Sequence, residues 1–314
     1  MFKMFRLIPL LVMSVLLSAA VALAADTSQY ENNVAAWKPY GSVNGLEYKM
    51  ALDPALFATD KPKASFNKLW GALSASASQN GFLLTKSEKG EVRLRMRSYY
   101  DTDNLALRDA GFVVRITTNY KKDGSAKEGR RLTVKTSGKD PAFILGTSLD
   151  PVGIKGEIAA EDHPYLDAQG NMGTRLEKSV NIRGDGNTFG DLDRPRLQQF
   201  SRFVPALAKS GLAADTILKS VNVCTYSAKM GSVDLAGVEA EIAFEAWTAS
   251  WGGDPIALEI SFSIDDQDYY SIPKVVAAGN EFYRKVLMQG LGHMKLSDGG
   301  KFSGSKLKML RDIQ

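Results

Sequence analysis

Along several stretches of this chain, charged residues recur two apart, on the face of a strand where a β-protein normally puts its core. Glu47 and Lys49 alternate in GLEYKMAL, Arg93, Arg95 and Arg97 in EVRLRMRSYYD, and Glu239, Glu241 and Glu245 lie two or four apart in GVEAEIAFEAW. Successive side chains of a strand point to opposite faces. Each charged set therefore shares one face, while Leu46, Tyr48 and Met50, or Val92, Leu94 and Met96, share the other. Two arrangements satisfy this pattern: an ordinary sheet with a solvated charged face, or a barrel packed with apolar side chains outside and lined with charge. Only the second is a binding site.

The first residues, MFKMFRLIPLLVMSVLLSAAVALAAD, begin with basic Lys3 and Arg6, run through an apolar stretch from Leu7 to Leu17 and end in small residues at Ala22 and Ala24. This order predicts a secretory signal peptide over residues 1–25, cleaved after Ala24 or one residue later, and hence a periplasmic or secreted chain. The apolar run is shorter than the ~20 residues a bilayer span needs, so no membrane partner is expected after cleavage. The formal net charge of +4 loses Lys3 and Arg6 with the signal (4 − 2 = +2), too little to point to nucleic acid. A single cysteine, Cys224, rules out an intrachain disulfide, but what remains after cleavage is long enough to bury a large core without one.

Turn clusters of Gly, Asp and Asn separate strands expected near 43–52, 91–99, 111–120, 130–137, 174–183, 221–230, 238–249 and 256–265. A helix is expected over 65–80, with Phe66, Leu69, Trp70 and Leu73 at helical spacing and Gly81 as its stop; 194–210 and 273–291 also read as helical. The connection 140–173, with three prolines, reads as a loop or excursion. The class is α+β, a single domain over 43–310. A sheet of this many strands tends to close on itself, because closure removes its edges.

In a barrel, every second residue would face a shared tunnel: Glu47 and Lys49; Arg93, Arg95 and Arg97; Arg115 and Thr117; Arg131, Thr133 and Lys135; Arg175 and Glu177; Glu239, Glu241 and Glu245; then Glu259, Ser261 and Ser263. Basic residues dominate the early strands and carboxylates the late ones. Arg and Lys clusters suit phosphate oxygens, and clustered carboxylates suit a hard divalent cation such as Mg²⁺. Together they describe a site for a metal and a polyphosphate.

The run YYDTDNLALRDAGFVVRI, residues 99–116, resembles the signature of the CYTH domains, or triphosphate tunnel metalloenzymes: an aromatic-Asp-Thr segment leading through a Leu and Gly turn to a strand bearing Arg. Other elements stand in the family order. Glu47 and Lys49 match the opening Glu-x-Lys, Lys135 in RLTVKTSG the lysine strand, Arg175 and Glu177 the Arg-x-Glu strand, and Glu239, Glu241 and Glu259 the late acidic strands. Lys306 in GSKLKML is similar to the closing Ser-Lys. The resemblance implies an antiparallel eight-stranded β-barrel with flanking helices, an anionic phosphate-containing small molecule as ligand, and Mg²⁺ or Mn²⁺. It implies phosphate binding by Lys49, Arg115, Lys135 and Arg175, and metal binding by Glu47, Glu241 and Glu259. Glu47, Lys49 and Glu241 would be catalytic. Arg93, Arg95, Glu177, Lys229, Glu239 and Lys306 are further candidates.

Three positions depart from the family pattern. Gly45 stands where the first glutamate of Glu-x-Glu-x-Lys is usual, Thr117 where a second Arg follows Arg115, and the strand SVNVCTYSAKMGS carries only Lys229. Besides a phosphohydrolase, the sequence therefore allows a non-catalytic tunnel that captures polyphosphate or a phosphorylated ligand, and a structural envelope protein with solvated charged faces. Export argues against a cyclase, since nucleoside triphosphates are scarce outside the cytoplasm. Asp101 and Thr102 read as turn-shaping residues, Cys224 as a core residue, and His163 and His293 as structural or solvated, too separated for a zinc site. The segment GDGNTFGDLD reads as a turn, and neither a Walker A nor a dinucleotide fingerprint occurs. Phosphate binding must come from side chains.

Overall fold

The computed structural model describes residues 30–167, 169–265 and 273–296; the expected signal peptide and Lys306 lie outside these. Its strands are β1 (Gly45–Leu52), β2 (Leu84–Lys86), β3 (Arg93–Asp101), β4 (Phe112–Tyr120), β5 (Ala126–Gly138), β6 (Gly156–Asp162), β7 (Tyr165–Leu166), β8 (Met172–Gly173), β9 (Leu176–Gly184), β10 (Lys219–Leu235), β11 (Val238–Thr248) and β12 (Pro255–Ile264). They pair in the order β11-β12-β1-β6-β9-β5-β4-β3-β10, and β10 returns to β11 to close the ring. β2 pairs with β10 outside the ring, and β7 with β8 forms a separate small hairpin.

The barrel thus has nine strands, not the expected eight, because 140–173 is not all loop: it contains β6, wedged between β1 and β9. A closed ring of strictly alternating directions needs an even number of strands. The ninth forces one parallel contact, which falls between β1 and β6 with Gly45 opposite Glu161 and Leu46 opposite Asp162. The expected helix 194–210 is also corrected. It is a short helix, Leu197–Ser201, and a 3-10 turn, Pro205–Ser210. Pro205 has no N–H to continue the first helix and keeps Val204 out of the helical region, at φ −129° and ψ 86°.

The apolar core lies outside the ring. Leu46, Tyr48, Met50 and Leu52 of β1 join Ile242, Phe244, Ile260 and Phe262 against α1 (Pro62–Gln79) and α2 (Pro273–Phe282). α1 starts with Pro62 in its first turn, presents Phe66, Leu69, Trp70, Leu73 and Ala77 inward, and stops at Asn80 before Gly81 at φ +79°. α2 continues as a π-helix, Tyr283–Gly290, where the Ser76 hydroxyl donates to the Val286 carbonyl at 3.0 Å. Tyr48 stacks on Phe262 with centroids 4.4 Å apart and donates to Asn280 Oδ1 at 2.8 Å. Burying side chains such as Phe66, Phe244 and Phe262 contributes about 2 kcal/mol each. A second outer cluster, including Val114, Leu132, Val180, Phe189 and Phe200, covers β4, β5 and β9. Cys224 is buried, and burial lifts its thiol to about 11, which fits packing and not nucleophilic attack.

Inside the ring, Tyr99, Val221, Val223, Trp247 and Ala257 form their own apolar cluster, with Leu105 and Val113 packed against it. Leu105 adopts a left-handed conformation, φ +60°. Asp101 stabilises that turn from a fully buried position. Its carboxylate accepts from the backbone N–H groups of Thr102, Leu107 and Arg108, while Thr102 Oγ1 accepts from Ala106 N–H. Asp101→Ala would leave these donors without their acceptor and should cost about 2 kcal/mol in a urea-unfolding measurement. A loss below about 0.5 kcal/mol would contradict this assignment. The GDGNTFGDLD segment is likewise a turn, with Asp185 accepting from Asn187 and Thr188 and with Phe189 buried.

Candidate functional site

With the apolar stripes outward, the alternate charged residues converge on a tunnel enclosing a cavity of about 1150 Å³. Glu47, Lys49, Arg93, Arg95, Arg115, Lys135, Arg175, Glu177, Lys229 and Glu259 all line it. Glu241 and Glu239 do not. Glu241 is 39% exposed and ion-paired to Lys229 at 2.6 Å, and Glu239 accepts from the Ser232 hydroxyl.

One part of the lining is made of matched pairs. Lys49 meets Glu47 at 2.5 Å, Lys135 is ion-paired to Glu177, and Arg97 forms a two-pronged pair with Glu245, whose Oε1 also accepts from Trp247 Nε1 at 2.6 Å. Burial opposes the charge on Lys49, but Glu47, Glu259 and Glu177 outweigh it and raise its pKa. Burial likewise works against the Glu177 carboxylate, yet Lys135, His163 and Lys49 prevail and hold it well below the ordinary glutamate value. A carboxyl depressed in the folded state contributes stability that is complete above its unfolded pKa and is lost as pH falls below it. Urea midpoints should therefore drop as the pH falls below about 4.5, and the acid-dependent part of that drop should be smaller in Glu177→Gln. Equal acid sensitivity in the two proteins would refute this account of Glu177.

Elsewhere in the lining, positive charge goes unmatched. Among the described residues, Arg93, Arg95, Arg115 and Arg175 of the lining, and Arg131 near Arg115 and Arg95, have no carboxylate partner within ion-pair distance. Arg95 reaches only Ser227 Oγ, at 3.4 Å, Arg115 only Thr133 Oγ1, at 3.4 Å, and Arg175 Ser137 Oγ, at 2.9 Å; the Nε groups of Arg115 and Arg131 are buried without a partner. Burial and the neighbouring guanidiniums of Arg115, Arg95 and Arg97 pull Arg131 down to about 10. Burial and Arg97 also lower Arg95. Such a concentration of desolvated like charge is unfavourable until an anion joins it. Thr117, the departure from Arg-x-Arg, lies directly across from Arg131 on β5, so the neighbouring strand supplies a guanidinium beside it.

His163, on the tunnel lining, and Glu161 beside it lie outside the sequence-derived candidate set. His163, read as structural or solvated, is only 14% exposed and stands among carboxylates. Its Nδ1 is 3.6 Å from Glu47, and its Nε2 is 3.3 Å from Glu161 and 3.9 Å from Glu177. Glu47, Glu161 and His163 can each offer one ligand atom, all within 4.8 Å of one another. The signal for them was present: Glu157, Ala159, Glu161 and His163 alternate with Ile158, Ala160 and Asp162. The second face, though, is too weakly apolar to announce a strand. Just past β12, burial and the charges of Glu161, Glu47 and Glu241 raise the Asp265 carboxyl above its ordinary range. This corner of the tunnel is rich in negative charge.

No family model and no curated relative matches the chain. Among solved structures, it is similar to HpAC1 from Hippeastrum, an adenylyl cyclase candidate described as having a dominant triphosphatase activity (TM-score 0.40, 13% identity, 87% of this chain and 97% of that one). It is also similar to an adenylate cyclase candidate from Bacillus halodurans (0.38, 12%, 78% and 91%). A third is the PH1819 protein of Pyrococcus horikoshii (0.35, 13%, 77% and 90%). The ring itself, apolar outside and charged within, is the closed, charge-lined barrel that the sequence analysis expected, with nine strands in place of eight.

Proposed function

We propose that this chain is an exported, metal-dependent phosphohydrolase that cleaves inorganic triphosphate or an organic triphosphate inside the tunnel, with Mg²⁺ or Mn²⁺ as cofactor. The observation that carries this reading is the wall of guanidiniums without carboxylate partners, facing carboxylates across one cavity. A triphosphate would relieve the mutual repulsion of Arg95, Arg115 and Arg131. Its terminal phosphate would meet Lys49, Lys135 and Arg175 as further donors, each able to stabilise charge gathering on phosphate oxygens in the transition state. The carboxylates of Glu47 and Glu259 suit a divalent ion. When bound, such an ion supplies charge neutralisation at bridging phosphate oxygens and a place for the attacking water. Glu241, the third carboxylate in the family pattern, is engaged with Lys229 and would have to exchange that partner to take part.

The test is phosphate release from tripolyphosphate by the mature chain with Mg²⁺, Mn²⁺ or EDTA. Metal-dependent release is the expected result. No release, together with a tripolyphosphate-induced rise in melting temperature, would replace this reading with that of a tunnel that binds without cutting.

A further inference from the structure

β6 brings a histidine and a carboxylate into the tunnel beside β1. Gly45 makes room for them: it pairs with Glu161 in the parallel contact, and a Cβ at residue 45 would stand 2.9 Å from Glu161 Cγ. The bare backbone of β1 lets the Glu161 side chain lie across it toward Glu47. His163 follows two residues later, fixed where its backbone N–H donates to the Arg175 carbonyl and its carbonyl accepts from Arg175 N–H.

Carboxylates stand against both nitrogens of the imidazole, and one ligand atom from each of Glu47, Glu161 and His163 lies within 4.8 Å of the others. Glu161 Oε2 is 3.3 Å from His163 Nε2, a nitrogen buried in the tunnel wall. Glu47, which is paired with Lys49, lies 3.6 Å from Nδ1. Charge points the same way. The imidazole has three carboxylates around it, Glu47 at 3.6 Å, Glu161 at 3.3 Å and Glu177 at 3.9 Å.

We infer that Glu47, Glu161 and His163 form a divalent-metal site selective for a first-row transition ion, Mn²⁺ or a softer one, over Mg²⁺. It rests on the tunnel reading above and refines it: the metal is held between β1 and β6, and not by the late acidic strands. One imidazole nitrogen with two carboxylates is a donor set that Mg²⁺, which favours oxygen and retains its waters, accepts poorly; Mn²⁺, Co²⁺ and Zn²⁺ take it readily.

The experiment measures metal binding by the mature chain without any phosphate compound. Free Mn²⁺ is followed by electron paramagnetic resonance, and Co²⁺ by visible absorption, each with Mg²⁺ as competitor. One Mn²⁺ per chain is expected, not displaced by equimolar Mg²⁺. His163→Asn and Glu161→Gln should each weaken it by about tenfold or more. In wild type, Co²⁺ bands should report nitrogen ligation, and these should be lost in His163→Asn. Melting in EDTA checks that both variants fold, and if His163→Asn does not, the isosteric Glu161→Gln decides. Wild-type Mn²⁺ affinity in a folded variant, or displacement by equimolar Mg²⁺, overturns the site. Hydrolysis that persists while Mn²⁺ binding ignores both substitutions removes this site and leaves the hydrolase reading. Conversely, Mn²⁺ bound through His163 without turnover supports the site and removes the hydrolase.

Discussion

Arg115→Ala should cut phosphate release from tripolyphosphate by about a hundredfold or more while leaving the melting temperature unchanged or raised. Most site substitutions cost both function and stability, and this one separates them. Arg115 has no carboxylate to strand, its side-chain hydrogen bond is a long one of 3.4 Å to Thr133, and it lies among Arg95, Arg97 and Arg131. Removing it relieves repulsion in the free protein. In the complex it deletes a donor to phosphate oxygens, where a preorganised charge-assisted bond is worth several kcal/mol in the transition state. Lys135→Ala makes the contrast: it should lose turnover and stability together, because Glu177 would be left ionised in the wall without its partner. The measurements are initial rates and thermal melts on the same samples. Unchanged turnover in Arg115→Ala would show that its guanidinium is outside the substrate path and remove the main support for the phosphate wall.

The second large effect is on the fold. Arg97→Ala should destabilise the protein by about 3–5 kcal/mol. Arg97 and Glu245 are only 10% and 15% exposed, held face to face by a two-pronged pair next to Trp247. Burial works against the guanidinium, but Glu245 outweighs it and raises the Arg97 pKa. Truncating Arg97 leaves the Glu245 carboxylate inside the barrel with the Trp247 N–H but without its cation. Arg97→Lys keeps the charge but loses the planar fork, so it should fall between the two. Urea-unfolding midpoints read the difference. A loss under about 1 kcal/mol would mean that the pair behaves as a solvated surface bridge.

Much of this was legible in the sequence because strand alternation is a property of the backbone. Leu46, Tyr48 and Met50 had to leave Glu47 and Lys49 on the opposite face wherever β1 packed, and the same holds for the arginines of β3. Lys135 and Arg115 were placed in the lining on that basis, and the turn role of Asp101 followed from local chemistry. β6 was missed because its outward residues, Ile158, Ala160 and Asp162, make a poor apolar stripe, and Ile158 stays partly exposed. The helix expected over 194–210 failed at Pro205, where the apolar pattern continues but the backbone cannot.

The sequence by itself determined which side chains share a face and hence that this chain could carry charge on one side of its sheet and a core on the other. Only the tertiary structure decided that the charged side is the inside, that nine strands close the ring, and that Glu161 and His163 lie beside Glu47, and Arg131 opposite Thr117. The physical reason is range. Alternation is set by neighbouring dihedral angles, whereas what stands across from Gly45 or Thr117 depends on pairing and register between strands remote in the chain, which no local pattern encodes.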